Sequence, residues 1–224
     1  MKGLGVIFDM DGVLVDSYQA HFESWNDMAG RHGLEMSEEQ FAATFGQTTG
    51  EIVRKFWSEH VSEADIPAWD DEKEEAYRKA LQADFREIPG AGELLGSLAD
   101  TGFVLAIGSS GPPENVAVAL EGLGRADLFA ATVSRSDVVQ GKPQPEVFLR
   151  AAERMNLEPT HCAVVEDAPA GIEAARRAGM VAIALTGTVS HDQLSERAHV
   201  VVDSLRELSP KIIADLIQRN QSTP

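Results

Sequence analysis

Six short apolar runs, spaced by segments of helical periodicity, constrain this chain more than any other feature. They are Leu4–Phe8, Phe103–Ile107, Ala130–Val133, Cys162–Val165, Val181–Leu185 and His199–Val202. Runs this short and this apolar suit parallel strands buried on both faces. Between and after them, Pro113–Gly122, Pro145–Met155, Pro169–Ala178 and Ser204–Gln218 repeat their apolar residues at helical spacing, and Gly179 stands where a helix-ending glycine is expected. Alternation of strands and helices predicts an α/β fold, a doubly wound parallel sheet with helices on both faces. Right-handed crossovers then gather the strand C-termini at one edge, where sheets of this kind bind ligands.

One interval breaks the alternation. From Asp16 to Phe85 the patterns are helical (His21–His32, Ser37–Phe45, Glu51–Glu59, Asp70–Ala83), with no convincing strand. The expected organisation is therefore a sheet domain of residues 1–15 and 86–224, with an all-helical domain of residues 16–85 inserted after the first strand. Gly12–Asp16 and Arg86–Gly92 are the expected hinges, the second marked by Pro89 and two glycines.

Composition excludes several function classes. A net charge of −17, from 36 acidic and 19 basic residues, repels nucleic acid and anionic membranes. No apolar run approaches the roughly 20 residues that cross a bilayer, and the first residues lack a signal-peptide pattern. One cysteine, Cys162, rules out an intramolecular disulfide framework and fits a reducing compartment. The expectation is a cytoplasmic protein without nucleic-acid or membrane partners.

The strongest local signal is FDMDGVLVDS, Phe8 to Ser17. Asp9 and Asp11 leave the first strand at i, i+2 spacing, which turns both carboxylates to one side. Carboxylates so close repel and call for a cation or a shared proton. Mg²⁺ meets that need with oxygen ligands, and a carboxylate so held can attack phosphorus. The alternative for a bare Asp-x-Asp is a strand end with solvated aspartates.

Three other strand ends add to it. Gly108–Gly111 (GSSG) presents backbone N–H groups beside Ser109 and Ser110, as a phosphate cradle or simply as a turn. Lys142, in Gly141-Lys142-Pro143, is either a point charge for phosphoryl oxygens or a solvated loop lysine. Glu166 and Asp167 follow an apolar strand, as metal ligands or as a helix cap. Asp16, Glu114 and Asn115 suit turn and cap roles equally and receive no assignment.

Together these segments resemble the haloacid-dehalogenase-like superfamily, in the subgroup that includes β-phosphoglucomutase and many small phosphatases, over nearly the whole chain. The resemblance implies a Rossmann-like core, with Asp9 as nucleophile, Asp11 as general acid/base, and Ser109 and Lys142 as the second- and third-motif residues. It also implies Mg²⁺ held by Asp9, the backbone carbonyl of Asp11 and Asp167, with Glu166 as ligand or neighbour, and a helical cap that closes over the substrate.

Asp11 argues against dehalogenation. Lys55, Lys73 and Lys79 are the lysines of the insertion, and none is expected in an apolar setting, which argues against a Schiff-base branch. His21 and Trp25 resemble the HxxxW pattern of β-phosphoglucomutases, or form a packing pair within the cap. Thr49, in Gly46-Gln47-Thr48-Thr49, stands where that branch has a phosphate-binding arginine, for which Arg54 or Lys73 would have to substitute. The expected activity is thus hydrolysis of a small phosphorylated metabolite through an aspartyl-phosphate. His21, Gln47, Thr48, Thr49 and Ser110 are the candidate substrate contacts. A phosphohexomutase is the runner-up, and a catalytically silent binding protein a third reading.

Overall fold

Burial on both faces requires every strand backbone group to find a partner in the sheet. In the computed structural model, which describes residues 3–44, 47–187 and 189–222, the apolar runs do so as a parallel six-stranded sheet. Its strands are β1 (Gly5–Phe8), β2 (Val104–Gly108), β3 (Phe129–Val133), β4 (Cys162–Glu166), β5 (Val181–Leu185) and β6 (Val200–Val202), in the order β3-β2-β1-β4-β5-β6. In register, Phe8 pairs with Ile107 on one side and Val165 on the other. The chain order reverses between β1 and β4, the switch point where such sheets open a crevice.

The chain divides into two compact units. The first is Met1–Asp16 with Arg86–Pro224, and the second is Ser17–Phe85. In the first unit, helices α5 (Ala91–Asp100), α6 (Pro113–Leu123), α7 (Glu146–Arg154), α8 (Pro169–Arg177), α9 (His191–Ser195) and α10 (Pro210–Gln221) accompany the sheet. Ile7, Ala106, Val164 and Ala182 alternate onto one face and pack against Phe148 and Ala151 of α7 and Ile172 and Ala175 of α8. Helices α5 and α10 contact β2 and β4 apart from that cluster.

Two expectations need correction. Ala91–Asp100 is helical, so Ala91 and Gly92, read as the end of a hinge, belong to a helix that also contains Gly96. Leu94, Leu95 and Leu98 bury one face, which outweighs the roughly 1 kcal/mol each glycine costs. The last helix starts at Pro210, not near Ser204. Ser204 and Glu207 close their own capping box around a 3₁₀ turn, and Ser209 then caps α10, with Pro210 in its first turn.

The second unit holds α1 (Tyr18–Arg31), α2 (Glu38–Ala42), α3 (Thr49–Trp57) and α4 (Ile66–Ala83). Phe45 and Gly46, within two of the segments read from the sequence, lie outside the described residues. Trp25, Met28, Phe41, Ile52, Trp57 and Trp69 form its core. Trp25, Trp57 and Trp69 are the only tryptophans of the chain, so fluorescence reports on this unit. Phe41 is buried against Tyr18 and Phe22. Phe41→Ala is expected to cost about 3–5 kcal/mol, read as an earlier fluorescence-detected urea transition. A cost below about 1 kcal/mol would contradict this packing.

Candidate active site

Four strand C-termini carry polar residues into one edge of the sheet. Beyond β1, the Asp9 N–H still donates to the Val165 carbonyl (2.9 Å), which prolongs the ladder by one residue and fixes Asp9 beside the end of β4. The chain then turns sharply, with the N–H groups of Val13, Leu14 and Val15 all donating to the Met10 carbonyl. Gly12 makes the turn at φ +73°, and a Cβ there would lie 2.1 Å from Asp167 Oδ2. Both its backbone angle and the approach of Asp167 therefore demand glycine.

Asp9, Glu166 and Asp167 are buried, and each offers a carboxylate oxygen within 4.8 Å of the others. Lys142 Nζ enters this group from the loop after β3, donating to Asp9 Oδ1 (2.6 Å) and Glu166 Oε1 (2.7 Å), 5.0 Å from the centre of the Phe148 ring. The peptide between Lys142 and Pro143 is cis. Burial works against the Lys142 ammonium, but Asp9 and Glu166 outweigh it and hold its pKa above the ordinary lysine value. Burial pushes the Asp9 carboxyl well above its usual range, Glu166 and Asp167 add to that, and Lys142 opposes it. One lysine does not balance three buried carboxylates, so a further cation belongs there by charge alone. An all-oxygen donor set of this kind suits a hard divalent ion.

Glu166 uses both oxygens. Oε1 accepts from Lys142, and Oε2 accepts from the Ala168 N–H (2.7 Å) as the chain turns towards α8. A Cβ on Gly171 would come 1.7 Å from Oε1. Alanine is the better helix former by roughly 1 kcal/mol, yet Gly171→Ala must displace the Glu166 carboxylate and with it Lys142. The variant is expected to be less stable and to lose at least tenfold in any activity that uses Lys142. Wild-type kinetics with raised stability would contradict this.

Ser109, buried, follows β2. Its N–H donates to the Val133 carbonyl, and its Oγ accepts from the Gly111 N–H (3.0 Å). Ser110 is exposed beside it. Asn115, left unassigned from sequence, is buried in the first turn of α6 with its side chain 3.7 Å from where a Gly111 Cβ would stand. A polar residue at the start of a helix behind a turn was its only signal. Asp11 is half-buried and bridges Val15, and its carboxylate is not one of the three clustered groups.

Within the helical unit, Thr48 caps α3 in a capping box with Glu51, and the Thr49 hydroxyl donates to Asp70 (2.5 Å). Gln47 directly precedes that cap and is exposed. Trp25 packs near Trp57 in the core, whereas His21 stacks on Tyr77 with ring centres 4.1 Å apart. Lys73 corrects an expectation. It is buried, with Nζ 3.1 Å from His21 Nδ1 and 3.0 Å from Glu74 Oε1, and it faces the Trp25 and Tyr77 rings. A lysine inside the acidic run Asp70–Glu75 reads as solvated, but its place on α4 turns it inwards.

A family model described as haloacid dehalogenase-like hydrolase matches residues 4–179. Hexitol phosphatase A of Escherichia coli (strain K12) is 35% identical over 211 residues, covering 93% of this chain and 94% of that protein. Validoxylamine A 7'-phosphate phosphatase of Streptomyces hygroscopicus subsp. limoneus is 33% identical over 205 residues, 90% of this chain and 94% of the relative. The crystal structure of β-phosphoglucomutase from Clostridium difficile superposes with a TM-score of 0.83 at 25% identity, covering 99% of this chain and all of that one. A match over most of the length, with both phosphatases more than 30% identical, leaves one conclusion: the chain belongs to the haloacid dehalogenase-like hydrolase family.

Proposed function

We propose that this enzyme is a Mg²⁺-dependent phosphomonoester hydrolase acting on a small phosphorylated sugar or sugar alcohol through an aspartyl-phosphate. The observation that carries the reading is Lys142 Nζ, 2.6 Å from Asp9 Oδ1, in a buried group of carboxylates at the switch point of the sheet. Asp9 attacks phosphorus, forming the acyl phosphate as the ester P–O bond breaks. Asp11 gives its proton to the leaving alkoxide, then takes one from the water that cleaves the acyl phosphate. Lys142 and the Ser109 hydroxyl stabilise charge on the phosphoryl oxygens. Asp9 and Asp167, with the Asp11 backbone carbonyl, are the groups to hold Mg²⁺, which when bound neutralises charge on the phosphoryl group. Glu166 fixes Lys142. A single lysine and a metal thus serve an anionic substrate locally in a chain of net charge −17.

Phosphatase relatives support a sugar-like substrate. The helical unit, residues 16–85, is the proposed cap, and His21, Gln47 and the exposed Ser110 are the proposed substrate contacts, beside Thr48 and Thr49. The likeness to a β-phosphoglucomutase structure favours a phosphohexomutase as second reading. Against it, Thr49 brings a hydroxyl shared with Asp70, Arg54 is held by both oxygens of Glu63, and Lys73 contacts Glu74. Water is therefore the preferred acceptor.

A panel of phosphorylated sugars, sugar alcohols and glycolate, assayed for phosphate release with Mg²⁺, tests the proposal. Release is expected to stop with a chelator and return with added Mg²⁺. Full activity in excess chelator sinks the metal assignment, and silence across the panel sinks the hydrolase reading. Conversion of β-glucose 1-phosphate with a bisphosphate primer, faster than phosphate release, selects the mutase.

A further inference from the structure

The loop from β3 to Lys142 is held against α7 at two places that neither the family motifs nor the proposed mechanism explain. Beyond β3, the N–H and Oγ of buried Ser134 both donate to Asp137 Oδ2 (2.8 and 2.9 Å) around the 3₁₀ turn Arg135–Asp137. Asp137 Oδ1 accepts from Arg154 Nη2 (2.5 Å) at the C-terminal end of α7, and Arg154 Nη1 donates to the Thr132 carbonyl. Arginine is the side chain able to span a strand carbonyl and a carboxylate with one planar fork. Two turns earlier on α7, Glu146 accepts from the N–H groups of Val139 (2.9 Å) and Gln140 (3.1 Å).

The turn that Asp137 closes reaches the phosphoryl-binding side. The Arg135 N–H donates to the Gly111 carbonyl (2.9 Å), the Gly111 N–H donates to Ser109 Oγ (3.0 Å), and the Ser109 N–H donates to the Val133 carbonyl (2.9 Å). Hydrogen bonds thus join Arg154 to Asp137 and Asp137 to Ser134, and, across the Ser134–Arg135 peptide bond, Arg135 to Gly111 and Gly111 to the Ser109 hydroxyl. The Arg154 guanidinium and the Ser134 N–H hold the Asp137 carboxyl down at about 2, so it is ionised throughout the neutral range.

We propose that Asp137, locked by Arg154, is a positioning residue for the Ser109–Gly111 loop: through the Arg135 N–H it holds Gly111 by its carbonyl, and so sets the place of the Gly111 N–H and of the Ser109 hydroxyl on the phosphoryl oxygens. The proposal rests on the reading of that loop as the phosphoryl cradle. A displacement of about 1 Å in such a group costs on the order of a hundredfold in rate.

The test compares wild type with Asp137→Asn, Arg154→Lys and, as an exposed ion-pair control on α10, Lys211→Gln. Each is assayed on an aryl phosphate at 15 °C, with tungstate as a competing tetrahedral anion and calorimetry for unfolding. Asp137→Asn is expected to lower kcat/KM about ten- to hundredfold and to weaken tungstate inhibition about five- to twentyfold. Arg154→Lys should move both the same way by less, and Lys211→Gln neither. Reduced thermal stability with unchanged tungstate inhibition overturns the proposal, since it leaves Asp137 a purely structural role. Should Asp137→Asn fail to fold, Arg154→Lys decides by the same criterion. A wild-type enzyme that hydrolyses the ester beside an indistinguishable Asp137→Asn overturns the positioning role alone. A wild type inert to both ester and tungstate overturns the cradle as well.

Discussion

Asp9→Asn protein is expected to release phosphate at least ~10⁴-fold more slowly than wild type with Mg²⁺ saturating, because knocking out a nucleophile removes the covalent route and not merely a binding contact. The fold should survive. Asparagine is nearly isosteric, and it removes the Asp9 carboxyl, which burial and the neighbouring Glu166 and Asp167 already disfavour as an anion. Its unfolding temperature is therefore expected to equal or exceed that of wild type. Acid-quenched wild type should carry an acyl phosphate at Asp9 during turnover, detectable by mass, and the variant none. A variant that keeps near-wild-type rates would eliminate Asp9 as nucleophile and leave it at most a metal ligand.

Lys142→Ala should fail differently. Loss of the ammonium strips Asp9 and Glu166 of a shared donor, 92% of whose side chain is shielded from solvent. Removing one partner of a buried ionic group costs about 3–5 kcal/mol, because the remaining charges stay uncompensated. Without Lys142 to oppose burial, the Asp9 carboxyl moves higher still. A carboxyl held above its unfolded pKa penalises folding only once pH exceeds that unfolded value, so the deficit should be small near pH 4 and grow towards neutrality. Turnover should fall about 10³-fold, as for removal of a group that stabilises transition-state charge. Thermal melts at pH 5 and pH 8, with and without Mg²⁺, check the first part. A variant as stable as wild type at pH 8 without metal would show that the carboxylates do not depend on Lys142.

The sheet was legible because its runs are too short and too apolar to be anything but buried strands, and each observed strand lies within one residue of its run. The start of Ala91–Asp100 was hidden by the hinge signals Pro89, Gly90 and Gly92, and tertiary burial of three leucines outweighs what Gly92 and Gly96 cost the helix. Lys73 was hidden by its acidic neighbours, since the sequence does not show that the face of α4 carrying Lys73 and Tyr77 turns towards His21 and Trp25 of α1.

By itself, then, the sequence determined the α/β class, the helical pattern between the first two strands and the strand ends that Asp9, Ser109 and Asp167 follow, with Lys142 in the loop after the third strand. Periodicity and strand length are local properties, and parallel crossovers leave little freedom in where the ends collect. Only the tertiary structure decided that Glu166 spends both oxygens on Lys142 and Ala168, that Thr48 and Thr49 are engaged by Glu51 and Asp70, and that Arg154 reaches Asp137. Some of those contacts are local, but those of Glu166, Thr49 and Arg154 join side chains 17 to 24 residues apart, and their hydrogen-bond geometry depends on packing distances that no single-residue pattern encodes.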